Sequence, residues 1–469
     1  MSTPFTPRPY QQIAVDFMIA NPRCALYAGM GLGKSASTLL TVDVLSLVED
    51  TYPVLIIAPL RVARKTWREE TQKWDGFTHM RVSQIIGTPA ERKAALAATA
   101  DIFTINYENL EWLVTTLGKA WPFKTIVCDE SSKLKNFRGS IQTSKTGKKF
   151  IRCDTGARTG ALAKVAFRSK RFIELTGTPA AKGIENLWAQ IFFIDGGQRL
   201  GRTFGDFSAR WFKLHPSGFG LVPLPHAQVE IQKLISDICL TIDPADWFSF
   251  DAYIQRIIEI DLPSKSRSLY NQMETELFVT LQGGDVEASN AASKSIKLLQ
   301  LASGAIYTDD DGTWEETHDE KIQALQELVD SANGMPVLVA YQFKSDLARL
   351  LKAFPKGRVL KTEKDEDDFK AGKIPVLFAH PASAGHGIDG FQKVTNIIVF
   401  FSGWWDLELR QQIIERIGPV RQMQSGMNRP VFVYDIVAKD TVDEVVLERH
   451  ETKADIQDIL LAALKRRVK

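Results

Sequence analysis

One short segment constrains the fold of this chain more than any other, the run Gly-Met-Gly-Leu-Gly-Lys-Ser from Gly29 to Ser35. The residues from Arg23 to Ala28 before it predict a β-strand, and Ser35 begins a segment with helical periodicity. Strand, glycine-rich loop and helix in this order are typical of a phosphate-binding loop, whose backbone N–H groups surround phosphates. The complete pattern has glycine where this chain has Ala28. The segment therefore predicts nucleotide binding in an α/β fold.

The residues of this loop differ in their expected roles. Gly29, Gly31 and Gly33 let the backbone approach the phosphates closely. Lys34 is expected to reach the β- and γ-phosphates, and the Ser35 hydroxyl to bind Mg²⁺. A nucleoside triphosphate with Mg²⁺ is therefore the expected ligand.

Strand-like apolar runs recur after the loop, each ending in polar or turn residues: Val54 to Ala58, Thr125 to Cys128 and Arg171 to Leu175. Continuous apolar runs of this length predict buried parallel strands, and helical segments alternate with them. The first part of the chain is therefore predicted to be a doubly wound α/β unit. Such sheets bind ligands at the carboxyl ends of their strands.

An acidic pair, Asp129-Glu130, follows the second of these runs. Such a pair is commonly a solvated turn, but a phosphate loop upstream favours a catalytic interpretation. Asp129 is then expected to hold Mg²⁺ through water, and Glu130 to orient or deprotonate the attacking water.

The α/β pattern stops at about residue 183 and resumes near His318, with helical segments dominating between. Four further strands are predicted in the last third of the chain, at Val337 to Ala340, Val376 to Ala379, Asn396 to Phe400 and Val431 to Ile436. We expect three regions: a first lobe over 1–262 with a helical protrusion at about 183–250, a helical protrusion or linker over 263–316, and a second lobe over 317–469 with a C-terminal helix.

Composition excludes some classes of protein. With 44% hydrophobic residues, the chain has enough apolar content for a core, but no apolar run approaches the roughly 20 residues of a membrane span. Its four cysteines, Cys24, Cys128, Cys153 and Cys239, have no paired metal or redox spacing. We expect a cytoplasmic protein with free thiols and no membrane partner.

Charge is concentrated in one stretch. Residues 133–171 contain twelve Lys and Arg residues against one anion, Asp154. The stretch predicts either a loop that neutralises nucleic-acid phosphates or a solvated surface loop.

Five motifs resemble those of superfamily-two helicases in order and spacing: Arg8-Pro9-Tyr10-Gln11, the phosphate loop, Ala58-Pro59-Leu60, Asp129-Glu130-Ser131-Ser132 and Leu175-Thr176-Gly177-Thr178-Pro179. The chain is most similar to the Swi/Snf-type DNA translocases, in particular to compact members from phages and bacteria. The resemblance extends over nearly the whole chain. It implies an α/β protein of two RecA-like parallel-sheet lobes with a helical insertion between them.

The resemblance also implies roles for residues of the first lobe. Arg8 and Gln11 would contact the nucleotide, with Gln11 reading adenine, so the nucleotide would be ATP. Thr176, Gly177 and Thr178 would couple hydrolysis to lobe movement. Residues of both lobes would contact the nucleic-acid backbone: Arg61, Asn106, Tyr107, Gln342, Phe343, Ser383 and Gly385.

In the second lobe, Gly387 and Asp389 resemble the stretch that places an acid near the ATP ribose. Gln412, Arg416 and Arg421 resemble the last motif, whose arginines reach the γ-phosphate and spread its developing charge over a fixed fork. Four residues separate the two arginines here, more than the family has. Either both arginines act, or only one does.

The resemblance therefore implies an ATP-dependent DNA translocase or helicase that hydrolyses ATP between its lobes. It would act as a monomer, prefer duplex to single-stranded DNA, and take specificity from a protein partner. A phage-encoded member would work in the host cytoplasm. Two alternatives are a non-motor DNA-binding scaffold that keeps the ATPase fold, and an RNA helicase. Lys34, Glu130 and the two arginines disfavour the first, and Asp-Glu-Ser-Ser with the helical insert disfavours the second.

Overall fold

The structure is a computed structural model that describes residues 4–29, 31–143, 149–153, 157–177, 179–180, 183–214, 221–247, 253–282, 288–308, 312–384, 388–404, 406–427, 429–448 and 450. The chain forms two compact units that divide between residues 249 and 250.

The first unit is built on a seven-stranded parallel sheet with the strand order β11-β1-β8-β5-β2-β4-β3. Its strands are β1 Arg23–Ala28, β2 Val54–Ala58, β3 Val82–Ile85, β4 Ile102–Asn106, β5 Thr125–Asp129, β6 Gly139–Thr143, β7 Lys149–Cys153, β8 Arg171–Thr176, β9 Phe212–Leu214, β10 Leu221–Pro223 and β11 Cys239–Ile242. The strands β6 and β7, and likewise β9 and β10, form antiparallel pairs outside this sheet.

Helices α1 to α9 belong to the same unit. They are α1 Pro9–Ala20, α2 Lys34–Ser46, α3 Trp67–Lys73, α4 Pro89–Ala97, α5 Leu110–Leu117, α6 Ala157–Ala163, α7 Leu187–Asp195, α8 Phe204–Trp211 and α9 Ala227–Ile235. Every residue of β2, β5 and β8 is buried, which explains why these strands were visible as apolar runs.

The second unit contains a six-stranded parallel sheet with the order β12-β19-β18-β15-β17-β16 and a separate β13-β14 pair. Its strands are β12 Ile254–Ile260, β13 Ala305–Tyr307, β14 Trp314–Glu316, β15 Val337–Ala340, β16 Arg358–Val359, β17 Val376–Ala379, β18 Ile397–Phe400 and β19 Phe432–Ala438. Its helices are α10 Ser264–Gln282, α11 Ala288–Ser303, α12 Glu320–Ser331, α13 Lys344–Ala353, α14 Glu363–Lys370, α15 Pro381–Ala384, α16 Leu407–Ile414 and α17 Pro419–Gln424. The expected class, α/β with two RecA-like parallel-sheet lobes, is confirmed.

The region between the lobes differs from the expected helical insert because it also contains the strands β9 to β14. Strand β11, within the expected protrusion, returns to the first sheet and pairs with β1. Strand β12, which we expected in the first lobe, pairs with β19 along the edge of the second sheet. Its side chains are mostly exposed or half-buried, so it lacks the continuous apolar run that marks a central strand.

The helices of the expected linker pack in the second unit. Tyr270 of α10, and Leu298 and Leu301 of α11, are buried in its core. Residues 442–448 are helical, and the rest of the expected C-terminal helix lies outside the described residues, apart from residue 450. Within the described ranges, no helix is long and apolar enough to cross a bilayer.

Candidate functional site

The phosphate loop connects β1 to α2 and needs glycine at Gly33 for two reasons. Gly31 and Gly33 have φ angles of 81° and 76°, in the left-handed region. A Cβ atom on Gly33 would also lie 2.1 Å from the side-chain nitrogen of Gln11. A larger residue at Gly33 would therefore strain the backbone and displace Gln11.

Lys34 is the first residue of α2, and its ammonium turns back over the loop. It donates hydrogen bonds to the carbonyls of Ala28, at 2.7 Å, and Gly29, at 3.2 Å. Ala28 is the last residue of β1, and its methyl group is buried. The missing glycine therefore lies in the strand, outside the part of the loop that turns. The loop keeps its geometry without it.

Gln11 lies beside this loop, as its expected contact with the nucleotide requires. Its side-chain oxygen accepts a hydrogen bond from the Arg8 backbone at 2.8 Å, and its side-chain nitrogen lies 3.4 Å from the Leu32 carbonyl. The Gln11 amide is buried, whereas Arg8 is exposed. The amide is thus fixed between the first turn of α1 and the glycine loop.

The acidic pair follows β5 in a strained turn. Asp129 ends the strand, and Glu130 has a φ angle of 57°, which is uncommon for a residue with a side chain. Both are buried. Burial raises the pKa of Asp129, while the positive charge of Lys34 acts in the opposite direction. A conformation of this kind is characteristic of functional sites.

Two buried aromatic residues hold the acidic pair, and the sequence motifs identify the role of neither. The indole N–H of Trp67 donates to the carboxylate of Asp129 at 3.1 Å. The hydroxyl of Tyr107 donates to the Asp129 carbonyl at 2.9 Å. A tryptophan in a predicted helix gives no sign of its partner 62 positions away, so this contact was not predictable.

Strand β8 brings the coupling motif next to the other two loops. It lies between β1 and β5, with Thr176 opposite Tyr27 and Leu175 opposite Asp129. Thr176 is buried and Gly177 is half-buried, while Thr178 lies outside the described residues. The phosphate loop, the acidic pair and the Thr176-Gly177 segment therefore share one edge of the sheet.

The residues expected to contact nucleic acid from the first unit have different environments. Arg61 is half-buried and precedes a π-helical turn, Val62–Thr66. Asn106 is buried, and its amide donates to Glu108 at 2.8 Å. The ring of Tyr107 lies under the acidic pair. Its hydroxyl is bonded to the Asp129 carbonyl, and a contact of Tyr107 with the nucleic-acid backbone stays a prediction.

In the second unit, the expected contacts lie where β15 and β17 end. The backbone N–H of Gln342 donates to the Ser402 hydroxyl at 3.3 Å, and that of Phe343 to Asp346 at 3.0 Å. Phe343 is buried, whereas Ser383 is exposed. Gly385 and Gly387 lie outside the described residues.

The structure accounts for the long spacing between the two arginines. Arg416 follows α16, and a break at Gly418-Pro419 starts the separate helix α17, which carries Arg421. A new helix begins there because proline fits its first turn. The intervening residues are thus taken up by the helix break.

Both arginines contact adjacent residues of one loop. Arg416 is buried and donates to the Ile388 carbonyl at 2.8 Å. Arg421 forms an ion pair with Asp389, whose side chain is 69% exposed. Gln412 is buried, and its side-chain oxygen has no hydrogen-bond partner among the described residues. The two arginines of the last motif thus meet at residues 388 and 389, whereas the Gln412 amide nitrogen donates to Glu408.

With this geometry in hand, comparison with known proteins decides the family. The family model described as the SNF2-related domain matches residues 10–305. The chain belongs to this family. The match covers the first unit and the beginning of the second, including the phosphate loop, the acidic pair and the coupling motif.

Individual relatives differ in how much of their length the chain covers. Protein p41 of Acyrthosiphon pisum secondary endosymbiont phage 1 is 51% identical over 471 residues, covering 99% of both chains. Human DNA annealing helicase and endonuclease ZRANB3 is 25% identical over 56% of this chain and 23% of its own length. The ATP-dependent helicase MG018 of Mycoplasma genitalium is 20% identical over 91% of this chain and 39% of its own length. The chain thus spans the whole phage protein and less than half of the other two.

Among solved structures, the SWI2/SNF2 ATPase core of Sulfolobus solfataricus in complex with dsDNA is similar to this SNF2-related chain. It is 20% identical, with a TM-score of 0.44, over 98% of this chain and 94% of that one.

Proposed function

We propose that this SNF2-related protein is an ATP-dependent translocase that moves along duplex DNA. The observation that carries the proposal is the shared edge of the first sheet: Asp129 and Thr176 end the neighbouring strands β5 and β8, and Lys34 follows the loop after β1. A phosphate-binding lysine, a metal-binding acid and a coupling segment are the parts that ATP hydrolysis requires in one unit.

The residues present fit Mg²⁺ with ATP. Among the described residues, no group of three or more His, Cys, Asp or Glu side chains forms a metal site. Mg²⁺ in such sites takes one or two protein oxygens and completes its shell with phosphate and water. Ser35 and Asp129 would supply these oxygens, and the ion would neutralise charge on the phosphates.

Several side chains of the first unit then have separate roles in ATP hydrolysis. Lys34 exchanges its bonds to the Ala28 and Gly29 carbonyls for bonds to phosphate oxygens. Glu130 orients the attacking water and accepts its proton, and Gln11 reads the adenine edge. The contact of Trp67 keeps one Asp129 oxygen occupied, so the other remains for the metal shell.

The second unit supplies the positive charge that the transition state needs. We propose that both Arg416 and Arg421 contact the γ-phosphate, since both are held by adjacent residues of one loop. Arg421 would exchange Asp389 for phosphate, which leaves Asp389 for the ribose. ATP binding would bring the two units together and hydrolysis would separate them.

DNA is the proposed track because the chain belongs to the SNF2-related family and because relatives such as ZRANB3 are named for action on DNA. The proposed backbone contacts remain Arg61, Asn106, Tyr107, Gln342, Phe343, Ser383 and Gly385. Both halves of the site lie in one chain, so a monomer suffices. Preference for a DNA structure would come from a protein partner.

The deciding experiment measures ATP turnover by the full chain with no polynucleotide, duplex DNA, single-stranded DNA and RNA. Turnover stimulated most by duplex DNA, and displacement of a triplex-forming strand from that duplex, are expected. Lys34→Ala should abolish both, whereas Lys93→Ala, an exposed lysine of α4, should change neither. Stimulation by RNA alone would indicate an RNA helicase. DNA binding without turnover would indicate a scaffold.

A further inference from the structure

Helix α7 contains one buried polar residue that the proposed chemistry does not use. Its residues from Leu187 to Ile194 are all buried, and Gln190 is the only one with a polar side chain other than the Trp188 indole. Burying a side-chain amide is unfavourable unless it is hydrogen-bonded. The amide of Gln190 is therefore expected to have hydrogen-bond partners inside the protein.

The amide of Gln190 joins two of the loops at the candidate site. Its oxygen accepts a hydrogen bond from the Ser131 hydroxyl at 3.0 Å, and its nitrogen donates to the Pro179 carbonyl at 2.8 Å. Ser131 directly follows the acidic pair, and Pro179 directly follows the Thr176-Gly177-Thr178 segment. A single rigid amide thus spans the turn that holds Glu130 and the end of the coupling motif.

A second buried polar group lies beside this link. Glu174 of β8 is fully buried and shares a face of the sheet with Phe172, whose ring lies 6.0 Å from that of Phe193 in α7. Burial raises the pKa of the Glu174 carboxyl well above its ordinary value, and the nearby Ser131 hydroxyl lowers it only in part. Burial thus favours the protonated, neutral form of this carboxyl. In that form, Glu174 adds a polar group to the cluster without placing a negative charge beside this link.

We propose that Gln190 is a positioning residue that transmits movement of the Thr176–Pro179 segment to Glu130 through Ser131. This inference rests on the proposed function, because it names the coupling element of the same site. Displacing either loop alone would break a buried hydrogen bond at one end of the amide. The two loops therefore shift together, so a lobe movement that displaces the coupling motif also changes the position of the water-activating acid.

The test compares Gln190→Met, Ser131→Ala and the double variant in the full chain, with ATP turnover measured with and without duplex DNA. Methionine keeps the length of the side chain but makes neither hydrogen bond. Each single variant should lower the DNA-stimulated kcat about tenfold while changing the KM for ATP less than about twofold. The double variant should lose no more than either single variant, because both changes remove the same link.

A matched control is Gln232→Met. Gln232 is also a buried glutamine on a helix of the first unit, but its side-chain nitrogen has no hydrogen-bond partner among the described residues. Its replacement should leave the stimulated kcat unchanged.

The outcomes separate the two proposals. An unchanged kcat in Gln190→Met or Ser131→Ala would overturn the inference while turnover by the unaltered protein upholds the function. A loss of about a hundredfold in the double variant, as independent effects would give, would also overturn it. If Gln190→Met does not fold, Ser131→Ala alone decides, since it removes one hydroxyl. Absence of turnover in the unaltered protein would overturn the proposed function, and the inference with it.

Discussion

The two units hold the side chains of the proposed ATP site in different ways. In the first unit, buried side chains hold the site. Trp67 and Tyr107 donate hydrogen bonds to Asp129, and Gln11 contacts the glycine loop. In the second unit, Arg421 is held by an exposed carboxylate, that of Asp389. Because solvent screens the exposed carboxylate of this pair, we expect Arg421 to exchange it for phosphate. We therefore propose that the first unit is the preformed half of the ATP site and that an arginine of the second unit changes partner when ATP binds.

The largest effect is expected when the two arginines of the second unit are removed separately. Arg416→Ala and Arg421→Ala should each lower kcat by about a hundredfold or more, because a positioned arginine stabilises transition-state charge. Single-turnover hydrolysis measures the effect. Arg358→Ala, which also removes a surface ion pair of the second unit, should have none. A loss confined to one arginine would show that only that residue acts on the phosphate.

The anchoring of the first unit can be tested at Trp67. Trp67→Phe keeps an aromatic ring but removes the bond to Asp129, so kcat should fall about tenfold and more Mg²⁺ should be needed. Titration of turnover against Mg²⁺ measures both effects. Trp74→Phe is the control, since it removes a similar indole bond, to Glu70 at 2.7 Å. Equal behaviour of the two variants would mean that Asp129 needs no support from the indole.

The two units are also expected to contribute unequally to DNA binding. The basic stretch of the first unit includes the antiparallel pair of β6 and β7, called here the β6–β7 hairpin, and Lys145 and Lys148 lie outside the described residues. Four changes to alanine, at Lys145, Lys148, Lys149 and Arg152, should flatten the salt dependence of DNA binding, by about 0.9 in log–log slope for each DNA phosphate that the protein no longer neutralises. Equilibrium binding at several salt concentrations measures the slope.

A control for the hairpin removes four exposed lysines of the second unit: Lys352, Lys356, Lys361 and Lys364. It should leave the slope unchanged. If the hairpin variant keeps its slope too, the basic stretch is a solvated loop, the other interpretation of the sequence.

The smallest expected effect concerns stability. Because Glu174 has a raised pKa in the folded protein, the folded state binds more protons than the unfolded state above the ordinary carboxyl pKa, and stability falls as pH rises. Glu174→Gln removes this pH-dependent loss of stability. The melting temperature of the variant should therefore exceed that of the unaltered protein by about 2 °C or more at about pH 8, and by less at about pH 5. Thermal unfolding at several pH values measures the difference. The exposed Glu111→Gln should show no such trend, and a constant difference would contradict the prediction.

The glycine loop, the acidic pair and the buried strands were predictable because each depends on a local pattern. The strands β2, β5 and β8 are continuous apolar runs, and the loop has a fixed order of residue types. Strand β12 was missed because an exposed edge strand has no such run. The burial of Tyr107 was not predictable from its motif, because burial depends on residues that are distant in the sequence.

By itself, the sequence determined the α/β class, the family and the residue types of the nucleotide site, because hydrophobic periodicity and short motifs are encoded by neighbouring residues. Only the tertiary structure decided which residues support that site. Trp67 reaches Asp129, and Gln190 joins Ser131 to Pro179, over separations that no local pattern records. It also decided the arrangement of Arg416 and Arg421, since a helix break brings both to residues 388 and 389 despite their spacing. These contacts depend on how strands and helices pack, and packing is a property of the whole fold.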